Sequence, residues 1–139
     1  MKLTFQDRHY ETVEHSTINH MSFYIMDINF RSAHAHTDIE ILQIIKGSMH
    51  VITKDSEFDL KPGEMALLNA NEFHICYSND TAPCCTLVLQ INPAFCQSYF
   101  PQISCMHFLT NNISSFIAVC YLHGFSCQFQ SALYARKPA

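Results

Sequence analysis

The 139-residue sequence predicts a mainly β fold: an antiparallel barrel followed by short helical segments. Three observations carry that expectation. Short runs rich in β-branched and aromatic residues recur between residues 22 and 91 at about 8–12-residue spacing, the rhythm of an antiparallel sandwich or barrel. The gaps hold turn chemistry: Gly47-Ser48, Lys54-Asp55-Ser56, Lys61-Pro62-Gly63-Glu64 and Asn69-Ala70-Asn71-Glu72. After Asn92-Pro93 the pattern changes, and residues 93–100 read as one or two helical turns ended by Pro101.

In chain order, residues 1–20 are polar with no clear period and read as an arm. Residues 22–30, Ser-Phe-Tyr-Ile-Met-Asp-Ile-Asn-Phe, form the first strand. Residues 39–46 form the next, Gly47-Ser48 turns the chain, and residues 49–53 return as a hairpin partner. Residues 57–60, 65–68, 73–77 and 85–91 complete the set. Pro62 presets φ and Gly63 permits positive φ between two of these strands. Phe23, Tyr24, Phe30, Phe58 and Phe73 are expected in the core. From Thr81 to Ala135 there is no Asp, Glu, Lys or Arg, whereas ordinary domains carry about 25% charged residues. Residues 109–139 show no cap or period and read as an atypical tail, helical or disordered. The expected division is an arm at 1–20, a barrel at 21–108 and the tail at 109–139.

Composition excludes several function classes. The most apolar run, residues 116–122, falls well short of the ~18–20 residues of a membrane helix, so no membrane partner is expected. The N-terminus has no apolar signal region, which predicts a cytoplasmic protein. Net charge is −4, and the eight Lys and Arg are scattered rather than clustered. Nucleic-acid binding needs grouped cations to displace counterions from phosphates, so the chain is not expected to bind DNA by itself. Seven cysteines, an odd count without Cys-x-x-Cys spacing, read as reduced and mostly buried thiols. No Gly-rich phosphate loop or Ser-His-Asp nucleophile arrangement stands out, and no catalytic residue is assigned. His9, His15, His20, His50, His107 and His123 read as surface histidines.

The chemistry-bearing residues are His34, His36, Glu40 and His74. His34 and His36 are two apart, so on a strand their imidazoles share a face. Glu40 has the same parity, but a straight strand would hold it roughly 13 Å from His36. A turn at Thr37-Asp38 would return it from a neighbouring strand. His74 would have to arrive from a non-local strand across the barrel. Three imidazoles and one carboxylate suit one divalent transition metal, which could act as a Lewis acid or activate water. The same residues can instead hydrogen-bond one another inside a ligand pocket. Without an ion, a buried Glu40 would need hydrogen bonds from those histidines.

The spacing His34-x-His36-x3-Glu40-x6-Gly47 resembles the first motif of the cupins, with Ile28 in the place of the leading Gly. Pro62-Gly63-Glu64 followed by Asn69-Ala70-Asn71-Glu72-Phe73-His74 resembles the second, with Asn69 where the family usually has Pro and Asn71 where it often has Gly. Residues 34–47, 61–74, 87–95 and 98–101 are together similar to the N-terminal sensor domain of AraC-type transcription regulators. That resemblance implies a double-stranded β-helix (jelly-roll) barrel that takes a small-molecule effector in a pocket holding the same four residues, pairs as a homodimer, and reaches DNA only through a C-terminal pair of helix-turn-helix units. No such units occur in this sequence, which suggests a truncated or out-of-frame regulator with residues 109–139 as its altered end. The alternative from another class is a stand-alone metal-dependent cupin enzyme: an oxygenase, isomerase or decarboxylase.

Overall fold

A computed structural model of the protein describes residues 8–15, 20–108 and 112–113. Among the described residues, ten strands form two five-stranded sheets. They are β1 (His9–Tyr10), β2 (Met21–Ile28), β3 (Phe30–Ala35), β4 (Ile39–Lys46), β5 (Met49–Thr53), β6 (Glu57–Leu60), β7 (Met65–Leu68), β8 (His74–Ser78), β9 (Cys84–Ile91) and β10 (Asn112–Ile113). One sheet runs β1-β3-β8-β5-β6 and the other β10-β7-β4-β9-β2. All pairings are antiparallel except β1 with β3. The expected antiparallel barrel is therefore what the chain forms.

Alternation along each strand builds the core. Met49, Val51 and Thr53 of β5 are buried while His50 and Ile52 are not, and Leu42 and Ile44 of β4 point the same way as Glu40. Leu42, Ile44, Met49, Val51, Leu60, Leu68, Cys76, Cys84 and Val88 make one apolar cluster. The expected core aromatics divide. Tyr24 and Phe58 pack against this cluster, but Phe23 and Phe30 are exposed. Adjacent residues on a strand face opposite ways, so Phe23 and Tyr24 could not both point inward. Of the five described cysteines, all are free; Cys76 and Cys84 are buried, Cys85 and Cys96 half-buried and Cys105 exposed.

The helical expectation needs correction. Beyond β9 the described residues contain no α-helix, only single 3-10 turns at Pro93–Phe95 and Pro101–Cys105. Pro101 opens the second turn rather than ending the first, as suits a residue with fixed φ and no N–H to satisfy. The expected tail also changes in part. Asn112–Ile113 pair with β7 as an edge strand. The rest of the expected tail, residues 109–111 and 114–139, lies outside the described residues. Within the expected arm, described residues are likewise ordered against the barrel: β1 pairs with β3, and the Glu11 N–H donates to the Ala35 carbonyl (2.8 Å).

Two glycines occupy turns that need positive φ, Gly47 at 86° and Gly63 at 87°. A Cβ on Gly47 would lie 3.4 Å from Cys84 Cα, whereas one on Gly63 would meet nothing within 4 Å. Gly47→Ala is therefore expected to cost roughly 1–2 kcal/mol from backbone strain. Gly63→Ala should lose no more than that. A Gly63→Ala loss clearly above the Gly47→Ala loss in thermal melts would contradict this. Asn71, standing where the resembled motif often has Gly, has φ 62°. Asn is the residue besides Gly that tolerates this region best.

Candidate functional site

Strand register gathers the polar interior into one layer. In one sheet Ser22 pairs with Gln90, Gln90 with Glu40, and Glu40 with Leu68. In the other His34 pairs with His74, and His74 with Thr53. Ser22, Gln90, Glu40, His34, His74 and Thr53 are all buried. The two rows line opposite inner walls at one end of the barrel.

Each expected site residue reaches this layer by a route worth separating. His34 lies on β3 and His36 just past its end, with ring centroids 6.1 Å apart. The bend at Thr37-Asp38 carries the chain from one sheet to the other, so Glu40 returns from the facing sheet. Its Oε2 is 3.0 Å from His36 Nε2. His74 does not cross the barrel as expected from sequence; it sits on β8, the hydrogen-bonded neighbour of β3, with its ring centroid 4.2 Å from that of His34. The structure thus brings all four residues together.

The three imidazoles are oriented alike. His34 Nδ1 donates to the Ser32 carbonyl (2.7 Å), His36 Nδ1 to the Asp38 carbonyl (2.9 Å) and His74 Nδ1 to the Glu72 carbonyl (2.9 Å). Carbonyls only accept, so each Nδ1 carries hydrogen and each Nε2 faces inward. One nitrogen from each ring falls within 4.8 Å of the others. Backbone carbonyls that fix the tautomer in this way are a usual outer shell of metal-binding histidines.

Protonation differs from ring to ring. Burial pushes His74 down to about 4, so its Nε2 is a bare lone pair at neutral pH. That atom is buried and has no hydrogen-bond partner among the described residues. Burial also lowers His34. His36 is raised: burial is the largest single influence and opposes its charge, but the hydrogen bond and charge of Glu40, with the Asp38 carbonyl and carboxylate, together outweigh it. Burial likewise pushes the Glu40 carboxyl up most strongly, yet the hydrogen bonds from His36 and Gln90 and the nearby imidazoles of His74 and His36 together hold it at about 2. Gln90 Nε2 donates to the same Oε2 (2.7 Å). The pairing therefore favours the protonated His36 ring beside the Glu40 carboxylate. The hydrogen-bonding need inferred for Glu40 is met by His36 and by Gln90, a residue the sequence reading did not single out.

The donor set fits a divalent transition metal in two respects. The His74 lone pair is orphaned in a buried space, and imidazole nitrogens with a carboxylate suit Zn, Mn, Fe, Ni or Cu. Binding would require His36 to give up the proton it shares with Glu40, which makes uptake pH-dependent.

Residues outside the expected set shape the approach to this layer. A cavity of about 270 Å³ lies under the arm, lined by Glu11, Val13, Phe23, Tyr24, Arg31 and Gln90 among others. A second of about 20 Å³ inside the barrel shares Tyr24, Arg31 and Gln90 with it and is also lined by His34 and Glu40. The arm is fastened at both ends of this span. Glu11 pairs with Arg31 (2.5 Å), and His15 Nε2 lies 2.6 Å from the carboxylate of fully buried Asp38. Asn92 Nδ2 donates to the other Asp38 oxygen (3.0 Å). His9 stacks on His34 with centroids 5.8 Å apart. His50, expected as a casual surface residue, bridges Asp59 (2.7 Å) and Glu57 (2.9 Å) on the next strand.

Arg31 was invisible to sequence periodicity for a specific reason. It pairs with Cys76, and His34 pairs with His74, so the four residues 31–34 of β3 face the three residues 74–76 of β8. This β-bulge resets the alternation and lets Arg31 and His34 both line the interior despite their odd spacing.

A barrel of two β-sheets with a polar layer at one end and a cavity at its mouth defines a cupin-fold ligand-binding domain. The chain belongs to the family described as AraC-like ligand binding domain, whose model matches residues 22–115. The cupin domain of Cnp3 from Schizosaccharomyces pombe is similar in structure, with TM-score 0.54 at 8% identity over 65% of this chain and 68% of that one. A cupin-2 domain protein from Shewanella frigidimarina matches with TM-score 0.48 at 18% identity over 55% of this chain and 74% of that one. At these identities the likeness concerns the fold. No curated protein sequence matches the chain significantly. Among the described residues, no helix is long and apolar enough to cross a membrane.

Proposed function

We propose that this protein is the effector-sensing part of an AraC-type transcription regulator, acting on DNA through helix-turn-helix units rather than by its own contact. The carrying observation is the cavity of about 270 Å³ between arm and barrel. It falls just below the ~300–1,000 Å³ usual for drug-sized ligands, which suits a smaller molecule, and it meets the polar layer at Tyr24, Arg31 and Gln90. An effector there touches the arm and the barrel at once, so occupancy biases how the arm sits. Exposed Phe95, Tyr99, Phe100 and Met106 supply apolar surface for a homodimer. The test is a thermal-shift screen with sugars, carboxylic acids, amides and nucleobases on the full chain. A binding ligand at 100 times its Kd should add about 2.7 kcal/mol of stability. A folded protein that responds saturably to none of these classes would count against the sensor reading.

A second reading has its own observation in the orphaned Nε2 of His74. In it, His34, His36, His74 and Glu40 hold one divalent transition metal, and the protein works as a metal-dependent cupin enzyme. The ion would supply Lewis acidity or a water of lowered pKa. The chain's own part would be to fix three Nε2 atoms through backbone carbonyls and to release the proton between His36 and Glu40 to solvent as the ion binds. Elemental analysis of the purified protein separates the readings. One equivalent of metal, lost in His74→Ala, favours the enzyme; protein that stays metal-free after dialysis against Zn, Mn, Fe, Ni and Cu salts rejects it.

A further inference from the structure

We propose that the effector is a small monocarboxylate, and that Glu11 occupies its place on Arg31 in the resting protein. This inference rests on the sensor reading and names the ligand class for the same cavity. Among the described residues, Arg31 is the one Lys or Arg lining either cavity, and it lines both. Its side chain is about one-third exposed, so it lies at the boundary between the outer cavity and the barrel interior.

The contact it makes is substitutable. Both Glu11 oxygens approach a single guanidinium nitrogen, Nη2, at 2.5 and 2.6 Å. A guanidinium offers parallel N–H groups on two nitrogens, and a carboxylate that engages both makes the stronger fork. Glu11 cannot swing freely into that arrangement, because its own N–H is bonded to the Ala35 carbonyl and holds the backbone on β3. A diffusible carboxylate has no such tether. The walls around Arg31 then select the rest of the molecule. Val13, Phe23 and Tyr24 are apolar surface in the outer cavity, and Met26, Ile28, Leu42 and Val88 continue it inward. Two further carboxylates lie on this path: Glu14, exposed at the outer cavity, and Glu40 in the inner one, whose Oε2 is already engaged by His36 and Gln90.

Displacement couples the ligand to the arm. Once the ligand holds Arg31, the Glu11 carboxylate loses its arginine, and β1 keeps its backbone pairing to β3 with the His9–His34 and Tyr10–Phe73 ring contacts. Effector identity and loosening of the arm at Glu11 thus follow from one exchange of carboxylates on one arginine.

The experiment is calorimetric titration of the full chain with butyrate, hexanoate and phenylacetate, each beside its amide. The acids should bind and the amides should not. Arg31→Gln should weaken acid binding by at least roughly tenfold, the worth of a hydrogen bond to a charged group. Glu11→Gln should do the opposite and tighten it by roughly two- to fivefold, since a part-exposed ion pair no longer competes. Hydrogen exchange at the Glu11 amide should quicken when the acid is bound. Equal binding of acids and amides, or weaker acid binding in Glu11→Gln, would overturn the carboxylate assignment and leave the sensor reading intact. Binding of neither acids nor amides, with a neutral sugar or nucleobase bound instead, overturns this proposal alone. If those neutral classes fail as well, the sensor reading falls with it.

Discussion

Glu40→Ala is expected to lower folding stability at pH 7 by about 3–5 kcal/mol, the range for removing one partner of a buried charged pair. The carboxylate is buried and accepts from both His36 and Gln90. Its loss leaves both donors without an acceptor in a space closed to water. The effect carries a pH signature. Glu40 is held at about 2 against an ordinary 4.5, so the folded state binds its proton less readily than the unfolded chain. That contribution, on the order of 3 kcal/mol, is present above about pH 4.5 and lost as pH falls towards 2. His74 acts in the same sense at higher pH. Its folded value of about 4 lies below the ordinary 6.5, so its contribution is lost as pH falls from 6.5 to 4. His36 is raised and works the other way, its contribution fully present below 6.5 and lost as pH rises through the folded value. Wild type should therefore show a steep acid limb whose lower part, below about pH 4.5, flattens in Glu40→Ala. Urea unfolding of both proteins from pH 7 to pH 3.5 checks this; equally steep lower limbs would show that Glu40 is not the group responsible.

Leu42→Ala is expected to cost about 2–5 kcal/mol, the lost transfer energy of a buried side chain together with the cavity left behind. Leu42 is 1% exposed, and its register partners are Ala66 of β7 and Val88 of β9. The alanine beside it is already small, so the neighbouring strand has little side chain with which to fill the gap. Ile45→Ala, three residues along the same strand on the outer face, is 47% exposed and should change stability by no more than about 0.5 kcal/mol. The contrast between the two, read as a shift in urea midpoint at constant slope, tests the strand's facing rather than its composition. Similar losses at both positions would mean that β4 is not oriented as described.

Local signals carried much of the fold. The bounds of β4, β5, β6 and β7 agree with those read from alternation and turn residues, because a strand's facing and its terminating turn are set by neighbours within a few residues. The boundary between β2 and β3 was missed at Asn29, since the polar–apolar alternation Asp27-Ile28-Asn29-Phe30 continues through the break, and residues 31–35 were not read as strand. For the candidate site, the spacing of His34, His36 and Glu40 was legible as a pattern.

What the sequence by itself determined was therefore the class of fold, most strand positions and the spacing pattern of His34, His36, Glu40 and His74. The tertiary structure decided where those residues meet. Glu40 faces His36 because the chain changes sheets at Thr37-Asp38, and Gln90 reaches Glu40 from 50 residues away through β4–β9 register. Arg31 lines the cavity because a bulge shifts β3 by one residue against β8. Glu11 and His15 meet the barrel through side-chain contacts with no periodic trace. The physical reason is the same in each case. Alternation says which face a residue takes relative to its own strand, but register, bulges and the choice of partner sheet are settled by packing the whole chain at once.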